Sequence, residues 1–275
     1  MRLVRSSVFA ALFALVFSGP NYAQSAVDPL LDALEIDRLI AVMREEGLSY
    51  GEDLRRDMFP GSGQNRWTAL VGEIYAQERM AGLVVETLQS ELGQINVEPL
   101  VAFFSSDVGQ RIINLEIDAR RALLDPDIET ATREQWAREA DENSDRLDAL
   151  RRFVTVNDLV ESNVVGALNA SFAFYNGLAD GGAPGFNLTD EEMLRDVWQQ
   201  EAEIRDETEI WVFSYLNLAY QPLSVTDLNA YIAVSETPEG AALNRALFAA
   251  FDKLFVGISR DLGFAASQFV AGEDI

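Results

Sequence analysis

The chain has 275 residues, a formal net charge of -24, and neither cysteine nor histidine. The two absences exclude disulfides, thiolate nucleophiles, Cys/His zinc sites and Ser-His-Asp triads. The acidity opposes approach to phosphate backbones and anionic headgroups, so no nucleic-acid partner is expected.

In chain order, Arg2 and Arg5 precede the apolar run Val8–Phe17, and Gly19-Pro20 breaks it. Small residues come next at Ala23, Ser25 and Ala26. A positive start, a short apolar stretch and a small-residue exit are the signature of a secretory signal peptide. The run is much shorter than the roughly 20 residues a membrane span needs. We read residues 1–26 as a signal peptide cleaved after Ala23 or Ala26, which places the mature protein in the periplasm. Its removal takes two arginines and no acid, so the mature chain is more acidic still. No later run is apolar enough to span a bilayer, and the mature length is enough to bury a core without disulfides.

Helical periodicity dominates the rest of the chain. Leu30, Leu31, Leu34, Leu39, Ile40 and Met43 form one stripe, ending near Gly47. Trp67, Leu70, Val71, Ile74, Tyr75, Ala81, Val85 and Leu88 form a second, again at three-to-four-residue spacing. Between them, Met58 to Gly63 is a loop rich in breakers. Leu123–Glu129 reads as a helix stop and restart, with Asp125 as cap and Pro126 at the first helical position. A long helical pattern then runs to about Gly177, with a break near Asn143-Ser144. Asp180–Gly185 is a loop. Thr189 and Glu192 make a capping box for a helix expected to reach Tyr220, and another helix starts near Thr226 or Asp227.

One short pattern occurs twice. Phe103-Phe104-Ser105-Ser106-Asp107-Val108-Gly109 returns loosely as Val234-Ser235-Glu236-Thr237-Pro238-Glu239-Gly240. Each copy reads as one helix ending, a hydroxyl cap (Ser106 or Thr237), and a new helix. Pro238 suits the first helical position, and Asp107 favours the helix dipole there. Gly109 and Gly240 fall at the third helical position against propensity, at a cost of about 1 kcal/mol relative to alanine. Close approach of another backbone explains a glycine there. An anion site at the helix start is disfavoured by Asp107 and Glu239. The fold expected is all-α, a multi-helix body of two weakly related halves, 27–140 and 141–275, packed as one unit.

This pattern resembles the family catalogued as domain of unknown function 2059, with copies around 97–124 and 228–255. The second copy keeps Thr237-Pro238-Glu239-Gly240 but has Val234-Ser235 in place of an aromatic pair. The first keeps Phe103-Phe104 and Gly109-Gln110 but has Asp107 for proline. The resemblance implies an exported, all-helical protein of Gram-negative bacteria, and implies no activity.

Other constellations weigh lightly. Asp141-Glu142-Asn143-Ser144-Asp145 begins like a calcium loop, but the turn position is Arg146 and the bidentate-acid position Arg152. Glu201 and Arg205, at i,i+4 on an apolar stripe from Leu194 and Trp198 to Tyr215, are expected to form a partly buried ion pair. Glu116 and Arg120 repeat that spacing. The small, uncharged segment Asn163–Ala170 implies close helix packing, and the second half is rich in aromatics.

No catalytic, cofactor or metal site is expected. The function expected is a non-catalytic binding or scaffold protein of the envelope with a protein partner. A carrier of a small apolar ligand among the second-half aromatics is the alternative, and a carboxylate-based hydrolase comes third.

Overall fold

Thirteen helices and no strand form among the described residues, 26–60, 63–186 and 188–270, of this computed structural model. The expected signal segment, apart from Ala26, lies outside them. The all-α expectation holds.

The first stripe divides into α1 (Asp28–Ala33) and α2 (Ile36–Met58), because Glu35 turns left-handed at φ 49°. Gly47 does not end α2. A Cβ there would collide with the Tyr75 ring, and one at Gly51 would strike Val71. These glycines let α2 lie against α3 (Gln64–Ile74), where Trp67 also donates its indole N–H to the Gly51 carbonyl at 2.7 Å. The second stripe likewise divides, α4 (Gln77–Leu92) starting after an extended Ala76.

The paired corners share one plan. α5 (Glu98–Phe104) turns into α6 (Asp107–Ala122), and α12 (Val225–Ser235) turns into α13 (Pro238–Val270). Ser106 Oγ accepts from Gly109 N at 3.1 Å and donates to the Phe103 carbonyl at 2.6 Å. Thr237 Oγ1 accepts from Gly240 N at 3.0 Å and donates to the Val234 carbonyl at 2.7 Å. A Cβ on either buried glycine would strike that same carbonyl of the preceding helix. The helix that makes the glycine necessary is therefore the one just completed, not a distant one. The corners also touch each other: the Phe103 ring lies 5.9 Å from Tyr231.

α7 (Pro126–Glu139) begins with Asp125 capping Asp127 N, and α8 (Asp145–Val156) with Ser144 capping Leu147 N. A break at Asp158, left-handed at φ 50°, separates α8 from α9 (Leu159–Asp180). The helix expected from Thr189 to Tyr220 is two helices, α10 (Asp190–Trp198) and α11 (Glu201–Ala219). Their apolar faces serve different neighbours. Val197 joins Val164 and Leu168, whereas Val212, Leu216 and Ala219 join Leu147, Leu150 and Ile232. α11 itself spans both groups, since its Ile204 also packs against the Val164, Leu168 and Val197 cluster.

The core interleaves the chain. α13 is the spine of the main cluster, its Leu243, Ala246, Ala250, Leu254, Ile258 and Leu262 packed with residues of α1 to α5. A second cluster joins Ile112 and Ala119 of α6 to α8, α11 and α12. Both clusters thus draw on residues before and after 140. α9 and α13 approach most closely where a Cβ at Gly177 would strike the Arg260 carbonyl and one at Gly263 the Phe174 carbonyl. Two glycines without side chains let two backbones nearly touch. No helix among the described residues is long and apolar enough to cross a membrane.

Candidate functional site

Away from the close approach of α9 and α13, toward the start of α9, the two helices border a groove of about 600 Å³. Gly166, Ala167 and Ala170 of α9 form its low wall, and Phe248, Phe251 and Phe255 of α13 the opposite wall. Met43 of α2 and Trp211 of α11 close it. The three phenylalanines and Trp211 are all partly exposed, so their faces border the open space. A Cβ on Gly166 would meet nothing nearer than Asp252 Oδ1, at 4.0 Å, so this glycine keeps the groove open rather than seating a neighbour. The volume falls in the roughly 300–1,000 Å³ range of small-molecule sites, which combine apolar walls with a few polar groups.

The charged groups of the lining are Arg120 and three carboxylates, beside the neutral Ser162, Asn163 and Asn169. Arg120 is held by a bidentate pair with Glu46, at 2.6 and 2.8 Å. Asp252 accepts from Asn169 at 2.9 Å, and Glu161 pairs with Arg205 at 2.8 Å. Asp158 stands at the exposed start of α9. Beyond Arg120 the groove continues into a smaller cleft walled by Leu123, Leu124 and Glu129.

Arg205 bonds Glu201 at 2.7 Å as well as Glu161, so the expected pair is part of a bridge between α11 and α9. It is partly exposed and lies at the groove's outer edge. The second expected pair does not form: Arg120 turns to Glu46, and Glu116 turns the other way. Leu194 and Trp198, placed by spacing on an apolar stripe, are 52% and 70% exposed. The α10–α11 break rotates them out of register with the rest.

Glu116 is the site residue that spacing alone misplaces. Its carboxylate accepts from Tyr220 Oη at 2.5 Å, and its carbonyl accepts from Tyr215 Oη at 3.1 Å. Burial pushes its pKa up to about 7, against hydrogen bonding from Tyr220 and Tyr231. Burial likewise raises all three phenols. Tyr215 stacks on Trp211 at 5.3 Å, so this cluster backs the groove wall. Sequence does carry a signal for it: Glu116 sits between Ile112, Ile113 and Ile117 on the buried face of α6.

The corner residues Ser106, Asp107, Gly109, Thr237, Pro238 and Gly240 lie away from the groove. Asn157, Gly240 and Leu247 line only a slight pocket between the corners. A cleft of about 660 Å³ beside α1 is walled by Asp28, Asp32, Glu35 and Asp37 with Arg38, and by Leu31, Ile36 and Val85. Among the described residues no group of acids is arranged to hold a metal ion.

Residues 78–134 match the family described as "Uncharacterized protein conserved in bacteria (DUF2059)". The match covers α4 to most of α7, including the first corner, Glu116 and Arg120, and the resemblance read from the sequence stands there. The second corner lies outside it. No curated protein and no solved structure matches the chain.

Proposed function

We propose that this is an exported, non-catalytic binding protein of the periplasm, whose groove between α9 and α13 takes an apolar ligand. The observation that carries the reading is an open space of about 600 Å³ bordered by four partly exposed aromatic rings and a wall of glycine and alanine. Exposed aromatic faces in a concave site favour burial of an apolar guest at roughly 25 cal/mol per Å². Export is supported by the basic, apolar and small residues in turn along positions 1–26. Catalysis is not part of the proposal. Glu116, the carboxylate that burial raises, faces phenols rather than a second acid, so it lacks the partner that two-carboxylate hydrolysis needs.

The test is titration of the purified mature chain with the neutral probe N-phenyl-1-naphthylamine. We expect saturable, one-to-one fluorescence enhancement that Gly166→Leu abolishes while the unfolding temperature holds. No saturable binding, or binding unaffected by filling the groove, overturns the reading.

A second reading, a scaffold for an envelope protein, is favoured by one observation. Leu194 and Trp198 lie one turn apart on α10, both exposed. Loss of a crosslinked periplasmic partner in Trp198→Ser, with probe binding intact, supports it.

A further inference from the structure

The groove's chemistry is lopsided in charge, and this selects among apolar guests. Of its charged lining groups, three are carboxylates (Asp158, Glu161 and Asp252) and one is a guanidinium, Arg120. Arg120 is already neutralised by the bidentate Glu46, whose oxygens occupy the guanidinium edge. An anionic guest would therefore find no free cation in the lining. Glu161 is matched by Arg205. Asp252 receives only a neutral amide hydrogen bond, from Asn169, and Asp158 has no ion-pair partner among the described residues. Two carboxylates without an ion pair among the described residues thus stand on a groove walled by Trp211, Phe248, Phe251 and Phe255. Aromatic faces carry negative quadrupoles that attract cations, most strongly where water is excluded.

We propose that the ligand class is a small cationic amphiphile: an apolar or aromatic body bearing an ammonium or amidinium head. The body lies among the phenylalanines of α13 and the small residues of α9. The head sits against Asp252, with Asp158 toward solvent. This rests on the reading of the groove as a binding site, and it adds the sign of the charge and the carboxylate that receives it. The protein's overall charge of -24 attracts cations to the surface in general, but that field is screened within about 8 Å at physiological salt. Selectivity that survives such salt must come from groups beside the guest.

Three probes with one aromatic body separate these effects: (1-naphthylmethyl)trimethylammonium, the neutral 1-naphthylmethanol, and the anion 1-naphthylacetate. Each is titrated calorimetrically into the mature chain at about 0.15 M salt. The cation is expected to bind about tenfold tighter than the alcohol, and the anion weaker than both. Asp252→Asn should close most of the gap between cation and alcohol. Gly166→Leu should remove binding of both, and Ala249→Leu, at an exposed lining position, serves the same purpose should the first variant fail to fold.

If the alcohol binds, and groove filling removes it, but the cation is no tighter, the charge assignment falls and the binding reading stands. If neither probe binds, both fall. If the cation binds equally to the filled variants, it is held by the acidic surface and the proposal is overturned.

Discussion

Tyr220 donates its phenol to Glu116 Oε1 across 2.5 Å, tying the end of α11 to the buried face of α6. Burial makes the carboxyl titrate at about 7 rather than at its ordinary 4.5. A raised carboxyl pKa means that the fold prefers the protonated form. Its contribution is complete below pH 4.5 and is lost as pH rises through about 7. The full loss amounts to about 3 kcal/mol, from a shift of between two and three units at 1.36 kcal/mol each. The groups around it are Tyr215, Tyr220 and Tyr231, while Arg120 and Glu46 act on Tyr215 in opposite senses. Glu116→Gln keeps a neutral side chain at every pH. Urea midpoints of the two proteins should agree near pH 4 and diverge through neutral pH, the variant then being more stable. A gap that does not change with pH would contradict the assignment.

The corners predict paired losses. Ser106→Ala and Thr237→Ala should each cost about 1 kcal/mol, the usual worth of a hydroxyl cap. Gly109→Ala and Gly240→Ala should cost about 1–3 kcal/mol despite alanine's better helix propensity, because the added methyl meets a backbone carbonyl that cannot rotate away. Chemical denaturation of the four variants checks this. A stabilising alanine at either glycine would show that the corner is looser than its geometry.

Glycines elsewhere divide by what faces them. Gly177 and Gly263 each face the other helix's backbone, whereas Gly72 and Gly82 have open space. Alanine at Gly177 or Gly263 should push α9 and α13 apart and destabilise the chain by several kcal/mol. Alanine at Gly72 or Gly82 should stabilise it by roughly 0.5–1 kcal/mol through propensity alone. Thermal unfolding of the four variants gives the sign directly. The first pair should also weaken probe binding, because α9 and α13, which that approach holds together, both line the groove.

Much of this architecture was legible because its signals are local. Caps at Ser106, Asp125, Ser144, Thr189 and Thr237 announce helix starts through a side chain and an amide three residues away or fewer. The breaks at Glu35, Asp158 and Gln199 carry no such mark. Two depend on a single left-handed residue, and at the third the new helix starts after Gln200 with no side-chain cap. Glu116 and Arg120 show the limit from another side. Spacing says that they can pair, but each finds a partner 74 or more residues away that no periodicity reveals. The groove is harder still, since α2, α6, α9, α11 and α13 each contribute to it. Only the uncharged run in α9 and the aromatic spacing in α13 hinted at it.

Glu46 offers the last prediction. Its two bonds to Arg120 hold a guanidinium in the groove wall, with both side chains about three-quarters covered (23% and 29% exposed). Removing one partner of a covered pair leaves the other charge poorly compensated, which costs more than the pair itself contributes. Glu46→Gln should lower stability by about 1–3 kcal/mol, less than for a fully buried pair because water still reaches these groups. It should also free a positive charge at the groove. The naphthyl cation should then bind less tightly and 1-naphthylacetate more tightly. The double variant Glu46→Gln, Arg120→Met removes both charges and should restore the cation's preference while recovering part of the stability. If Glu46→Gln alters stability but leaves the order of the three probes unchanged, Arg120 does not face the guest, and the head group is read by Asp252 alone.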